Sequence, residues 1–287
     1  MPVPPRTQPI FSRIITSARF EKLTQRTVKS AQRLRGQEGV LRFFHDPACA
    51  RSWLMAQALV ALQERYDVRV LGHTITGPDE DYVRDLNAYY SFSVRDAQQQ
   101  AAYYGLTAPD HAPDTQQVAP VAKELFELEG DTDWLRHATH LGGSLFRSNA
   151  LTGSFTDLTA LKRNDQLLRQ LGNYRGGNVF AGGQWHFGVD RIAHLEALLD
   201  EDFDTSVLQA THDELPPIVP PKTLKFYCSL RSPFSYLAFP RVVELCEAFE
   251  MELEVLPVIA PEDARRDAPV RKQLDLLLDA ARDSRRR

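Results

Sequence analysis

Three features of the sequence predict an α/β fold. The first is an internal repeat. Phe43-Phe44-His45-Asp46-Pro47-Ala48-Cys49-Ala50-Arg51-Ser52-Trp53-Leu54 lies without a gap on Phe226-Tyr227-Cys228-Ser229-Leu230-Arg231-Ser232-Pro233-Phe234-Ser235-Tyr236-Leu237. The offset of 183 continues through Leu62 and Leu245, Tyr66 and Phe249, and Pro78 and Pro261. The second feature is that each copy reads as strand, loop, helix, strand. The third is the pair Gly182-Gly183 between the β-rich runs Asn178 to Ala181 and Gln184 to Phe187, a strong signal for a two-residue hairpin.

The elements follow in order. Residues 1–39 form a basic N-terminal arm, with eight Lys/Arg against Glu21 and Glu38, and Ile14 to Leu34 has loosely helical apolar spacing. Such an arm suits an anionic surface, but it suits a solvated lead-in helix better. Few aromatics interleave with its charges, so no nucleic-acid partner is expected. The first strand is Leu41 to Phe44, or Leu224 to Tyr227 in the second copy, both rich in β-formers. A helix follows, with Met55, Leu59 and Leu62 on one face, or Ala238, Val242, Leu245 and Phe249. The second strand is Val68 to Leu71, or Leu253 to Leu256. Two strands joined by a helix make a right-handed parallel βαβ unit, which binds ligands where the strand ends meet the helix N-terminus.

Residues of about 80–170 read as a helical insertion, with segments such as Asp96 to Tyr104 and Val118 to Leu128. After the hairpin comes a helix with Ile192, Leu195 and Leu199 on one side. The expected organisation is an arm (1–39), a complete domain (40–200), a Pro-rich linker (201–221) around Pro216-Pro217 and Pro220-Pro221, and a partial second copy (222–287). The last ends on a leucine-rich helix, Gln273 to Ala281, and an exposed basic tail, Arg285 to Arg287.

Composition bounds the rest. Of 287 residues, 43% are hydrophobic and 25% charged, with a net charge of −4, an ordinary globular mixture. The longest apolar stretch, Trp53 to Leu62, is short of the roughly 20 residues that span a bilayer, and no apolar h-region opens the chain. Three cysteines, Cys49, Cys228 and Cys246, make no disulfide framework, which points to a reducing, cytoplasmic setting. Cys228 on a strand and Cys246 on an apolar helix face are expected in the core. His137 and His140 stand three apart without a cysteine pair, too little for a metal site, so no metal is expected.

The order βαβ, helical insertion, ββα resembles the thioredoxin fold of the DsbA-like superfamily. Phe226-Tyr227 followed by Ser232-Pro233-Phe234-Ser235-Tyr236-Leu237 resembles the opening of 2-hydroxychromene-2-carboxylate isomerases and is similar to kappa-class glutathione transferases. Phe187-Gly188-Val189-Asp190-Arg191 resembles the signature before their last helix. The resemblance implies that Ser232 contacts the sulfur of glutathione at a helix N-terminus, where unpaired N–H groups and about half a positive charge favour a thiolate. It implies that Val189 and Asp190 hold glutathione, the Asp190 carboxylate pairing with its amino group. The bland role of Ser232 is a helix N-cap before proline, and Asp190 is equally placed to cap the helix beyond it.

Across the repeat, Ser232 aligns with Cys49 and Ser235 with Ser52. The first copy therefore reads Cys49-Ala50-Arg51-Ser52, a Cys-x-x-Ser form of the redox Cys-x-x-Cys. A cysteine at a helix N-terminus beside an arginine is expected to be nucleophilic and to form mixed disulfides. His45 is placed to assist it or to be an ordinary polar loop residue. Two departures stand out. The position of the family's cis-proline falls near Gly177, and Ala50 replaces the proline usual after the reactive residue. The leading expectation is a glutathione- or thiol-linked enzyme acting on a small aromatic substrate. The alternatives are a thiol–disulfide oxidoreductase using Cys49 on a protein thiol, and a non-catalytic binding relative. The partial copy is expected to dock within the chain or to support a homo-oligomer.

Overall fold

The computed structural model describes residues 13–34, 39–148, 157–200, 203–209, 221–230, 232–258 and 270–286. The prolines read as a linker lie outside these, apart from Pro221. The chain divides into two compact units, Thr24–Leu215 and Met1–Leu23 with Pro216–Arg287. Of the described residues, 13–23 group with the second unit. Helix α1 (Ala18–Leu34) crosses the division.

The larger unit is built on a four-stranded mixed sheet. Its elements are β1 (Val40–His45), α2 (Ala50–Tyr66), β2 (Arg69–Thr74), α3 (Leu86–Tyr104), α4 (Thr115–Glu127), α5 (Trp134–Gly143), α6 (Lys162–Gln170), β3 (Asn178–Ala181), β4 (Gln184–Phe187) and α7 (Ile192–Leu199). The strand order is β2-β1-β3-β4. β1 pairs parallel with β2 and antiparallel with β3. Gly182 and Gly183 turn the hairpin at φ of 57° and 78°, the left-handed conformation that a two-residue turn of this twist requires and that glycine adopts without a Cβ clash.

α2 lies at the centre. Trp53, Leu54, Met55, Ala58, Leu59 and Leu62 are all buried, and its core includes Phe43, Trp134, Val179 and Leu195. The insertion covers it by fitting indoles over glycines. Trp53 stacks on Phe146 with ring centroids 5.4 Å apart and donates its indole N–H to Thr139 O at 2.9 Å. A Cβ on Gly142 would come within 2.2 Å of that ring. Trp134 lies over Gly72 in the same way, where a Cβ would also meet the ring at 2.2 Å.

The second unit holds β5 (Thr223–Cys228), α8 (Pro233–Ala248), β6 (Glu252–Pro257) and α9 (Val270–Arg286). β5 and β6 pair parallel as a separate two-stranded sheet. The repeat read from sequence extends to backbone detail. Val40 pairs with Arg69 and His45 with Thr74; 183 residues on, Thr223 pairs with Glu252 and Cys228 with Pro257. Among the described residues, only Asp67 and Glu250 are non-glycines with positive φ, 48° and 51°, and they too are 183 apart. Of the basic tail, Arg285 is exposed, as expected. Arg285 donates to Thr16 O at 2.7 Å and pairs with Glu21, so this part of the C-terminal helix is tied down within its unit. Among the described residues no helix is long and apolar enough to cross a membrane.

Candidate active site

Cys49 sits where β1 ends and α2 begins. Its backbone is extended, with φ of −98° and ψ of 113°, and it is the N-cap residue of α2 with no side-chain cap bond. Its N–H donates to Asp46 O at 3.0 Å, closing the tight turn that Pro47 and Ala48 occupy. The cysteine is only 1% exposed. What covers it comes from α3. The Tyr89 hydroxyl lies 3.8 Å from the Cys49 sulfur, within reach of an O–H···S hydrogen bond. Tyr90, the next residue, donates to Asp46 Oδ2 at 3.3 Å. Ser93, one turn on, accepts the Ala50 N–H at 3.3 Å and donates to Tyr90 O. An N–H of the first turn of α2, which has no partner inside its own helix, is thus satisfied by another helix.

The second copy solves the same problem within itself. Position 233, the counterpart of Ala50, is proline and has no N–H to satisfy. Ser232, the counterpart of Cys49, caps α8 by accepting the Ser235 N–H at 3.5 Å.

Ser52 joins the first turn of α2 to the end of β1. Its hydroxyl accepts the Asp46 N–H at 3.0 Å and shares a hydrogen bond with His45 Nδ1 at 2.9 Å. Ser235 repeats that clasp, accepting the Ser229 N–H at 3.2 Å. His45, left open as a helper of Cys49, is buried on the strand and committed to Ser52. Burial lowers its pKa to about 3, so it is neutral near pH 7. Burial pushes Asp46 the other way, up to about 7, against hydrogen bonds from the Ala48 N–H and the Tyr90 hydroxyl.

Arg51 approaches from the first turn of α2. Its guanidinium lies 5.2 Å from the centre of the Tyr89 ring and 5.5 Å from that of Phe92, and it pairs with Asp96 at 3.7 Å. Burial opposes its charge, but Cys49, Tyr89 and Asp96 outweigh that and its pKa is raised. Burial, then the charges of Cys49 and Asp46, raise Tyr89 above the ordinary phenol range. Burial and Asp46 do the same to Tyr90.

Beside this cluster is a cavity of about 160 Å³, whose lining includes Arg51, Tyr89, Arg175, Gly177, Val189 and Asp190. Gly177, the position of the expected cis-proline, has φ of 77° and donates its N–H to Phe44 O at 2.8 Å. A Cβ there would sit 3.3 Å from Ser52 Cα, so glycine brings this loop directly onto the start of α2. Among the described residues there is no cis peptide bond. Val189, Asp190 and Arg191 form a short 3-10 turn ahead of α7. The N-cap position of that helix is Arg191, and Asp190 pairs with Arg191 at 2.5 Å and keeps a half-exposed carboxylate at the cavity.

Of the residues singled out by sequence, Val189 and Asp190 line this cavity, whereas Cys49 is linked to it through Tyr89 and Ser52 is bonded to His45 and Asp46. Ser232 stands in the other unit, beside a cavity of about 380 Å³ that includes Cys228, Leu230, Tyr236, Phe239 and Val255 in its lining. Cys228 and Cys246 are buried. Tyr89, Tyr90, Ser93 and Arg175 were not anticipated. Their only local signal is the Tyr89-Tyr90 pair at the start of a helix capped by Asp85.

Compared with known proteins, the chain matches no family profile and no curated sequence. Among solved structures it is similar to a selenomethionine form of 2-hydroxychromene-2-carboxylate isomerase, at 15% identity and a TM-score of 0.43, over 56% of this chain and 95% of that one.

Proposed function

We propose that the larger unit is a thiol-linked enzyme of thioredoxin-like arrangement, in which Cys49 exchanges disulfides with a small γ-glutamyl thiol of the glutathione class. The observation that carries this reading is that the cysteine at the N-terminus of α2 lies 3.8 Å from the hydroxyl of Tyr89, which lines a cavity together with Arg51, Arg175 and Asp190. The cavity, about 160 Å³, holds one end of such a molecule rather than all of it. Asp190 suits its free amino group, and Arg175 and Arg51 suit a carboxylate. Gly177 presents backbone in place of a proline ring.

The step is a thiol–disulfide exchange. The Cys49 thiolate attacks one sulfur of the disulfide form of the small thiol. A Cys49 mixed disulfide forms, the original S–S bond breaks, and the other half leaves as a thiolate. Since Ser52 replaces a second cysteine, the mixed disulfide is resolved by an external thiol. Chemistry that needs a serine against the sulfur of glutathione fits this unit less well, because Cys49 stands where the second copy has Ser232.

A second reading concerns Ser232. Its cavity is lined by Leu230, Tyr236, Phe239 and Val255, and supports an apolar, aromatic ligand lying against the N-terminus of α8.

Calorimetric titration of reduced glutathione into the full chain tests the first reading. Binding is expected, weakened roughly tenfold or more by Asp190→Ala or by Arg175→Ala, as loss of a charged hydrogen bond implies. Absence of binding would remove the glutathione reading and put a non-catalytic binding role ahead of it.

A further inference from the structure

We propose that Tyr89 is a catalytic partner of Cys49, its phenol O–H donating to the sulfur and steadying the anion from which that sulfur reacts. The proposal rests on Cys49 being the reacting group, and goes beyond it by adding a residue from the insertion.

Geometry carries it. The Tyr89 hydroxyl is 3.8 Å from the sulfur of a cysteine that is 1% exposed, so the phenol is a direct neighbour of that sulfur. The Arg51 guanidinium lies 5.2 Å from the centre of the ring, and Arg51 is held by Asp96. The helix that brings Tyr89 is docked by neighbours with other tasks, Tyr90 on Asp46 and Ser93 on the Ala50 N–H.

The direction of the hydrogen bond follows from charge. A thiolate only accepts, so the phenol must donate. Burial and the negative charges of Cys49 and Asp46 keep Tyr89 protonated at pH values where cysteines ionise. The charged and titratable groups around the pair are Arg51 from α2, Asp46 from the end of β1, Tyr90 and Asp96 from α3, and Arg175 from the segment before β3. Arg51 and the phenol thus act on the sulfur, while Arg175 acts on Tyr89 and Asp96 pairs with Arg51.

Tyr89→Phe keeps the ring and the cover and deletes the donor. Iodoacetamide labelling of the reduced full chain, assigned to Cys49 by peptide mass, is followed from pH 5 to pH 10. In the variant the Cys49 pH–rate profile should move to higher pH, with labelling at pH 7 roughly tenfold slower. Tyr89→Ala removes donor and cover together. It should show the same displacement, with a faster plateau at high pH. A Tyr89→Phe profile that superimposes on the wild type overturns the proposal. So does a Tyr89→Ala profile that is faster but undisplaced, which is what a mere cover predicts. Absence of Cys49 labelling at every pH in both wild type and Tyr89→Phe overturns it too. None of these readings needs glutathione to bind, so failure of that ligand and failure of Tyr89 are separate results.

Discussion

The two βαβ units share a backbone and differ in what lies on it. Trp53 is 2% exposed, stacked and hydrogen-bonded under the insertion; its counterpart Tyr236 is 81% exposed. Nine residues of α2 are buried, whereas Cys246 is the buried residue recorded on α8. The strands follow suit, β1 being mostly buried and β5 mostly not. Identical registers, the same left-handed residue after the helix and the same serine clasp arise in both settings. Local sequence therefore suffices for the βαβ unit. The surroundings of Cys49 need the distant cover: α3 supplies Tyr89 and Tyr90, and the loop before β3 supplies Gly177 and Arg175.

That contrast is sharpest at positions 53 and 236. Trp53→Ala should cost about 3–5 kcal/mol in chemical denaturation, the range for a large buried aromatic, while Tyr236→Ala should stay within about 0.5 kcal/mol. Equal losses at the two positions would mean that the second unit is packed in solution as tightly as the first.

The strand ends differ in titration. Asp46 titrates at about 7 in the folded chain and at about 4 when unfolded. Between those values the native state holds a proton that the unfolded chain releases, so its contribution to stability is lost as pH rises through that window. His45, lowered to about 3, acts oppositely. Below about 6.5 the unfolded chain takes a proton that the native state refuses, and stability is lost as pH falls. From about pH 4 to 6.5 the two slopes nearly cancel. Asp46→Asn removes the first and leaves the second. Relative to wild type, the variant should lose stability on acidification by roughly 1.4 kcal/mol per pH unit, measured by urea unfolding at several pH values. Parallel profiles would contradict the assignment. The second copy has Cys228 and Ser229 at these positions, and no such compensation is expected there.

The clasps differ least. Ser52→Ala strands a buried N–H and a buried imidazole, and should cost about 1–3 kcal/mol. Ser235→Ala, in a part-buried turn, should cost about 1 kcal/mol or less. The comparison is broken if the order reverses in thermal or urea unfolding.

Much of the scaffold was legible because its signals are local. The repeat, the Gly182-Gly183 turn, the helical periodicity of the insertion and the helix over Gln273 to Ala281 all rest on residues a few positions apart. The candidate thiol and Asp190 were legible as well. Their setting was not, because Tyr89 and Cys49 are 40 residues apart and Gly177 meets Ser52 across 125. Sequence spacing carries no trace of such contacts. Ser52 shows the converse problem. Its position in a Cys-x-x-Ser motif suggested chemistry, but its hydroxyl holds the helix to the strand, a use that the second copy shares without any cysteine at the N-cap.

The most direct test of the account is to incubate the reduced chain with glutathione disulfide near neutral pH and map the adduct by peptide mass. The account predicts a glutathione adduct on Cys49 that forms well ahead of any on Cys228 or Cys246 and disappears on adding a reducing thiol. No adduct, or slow and equal modification of all three cysteines, would contradict it.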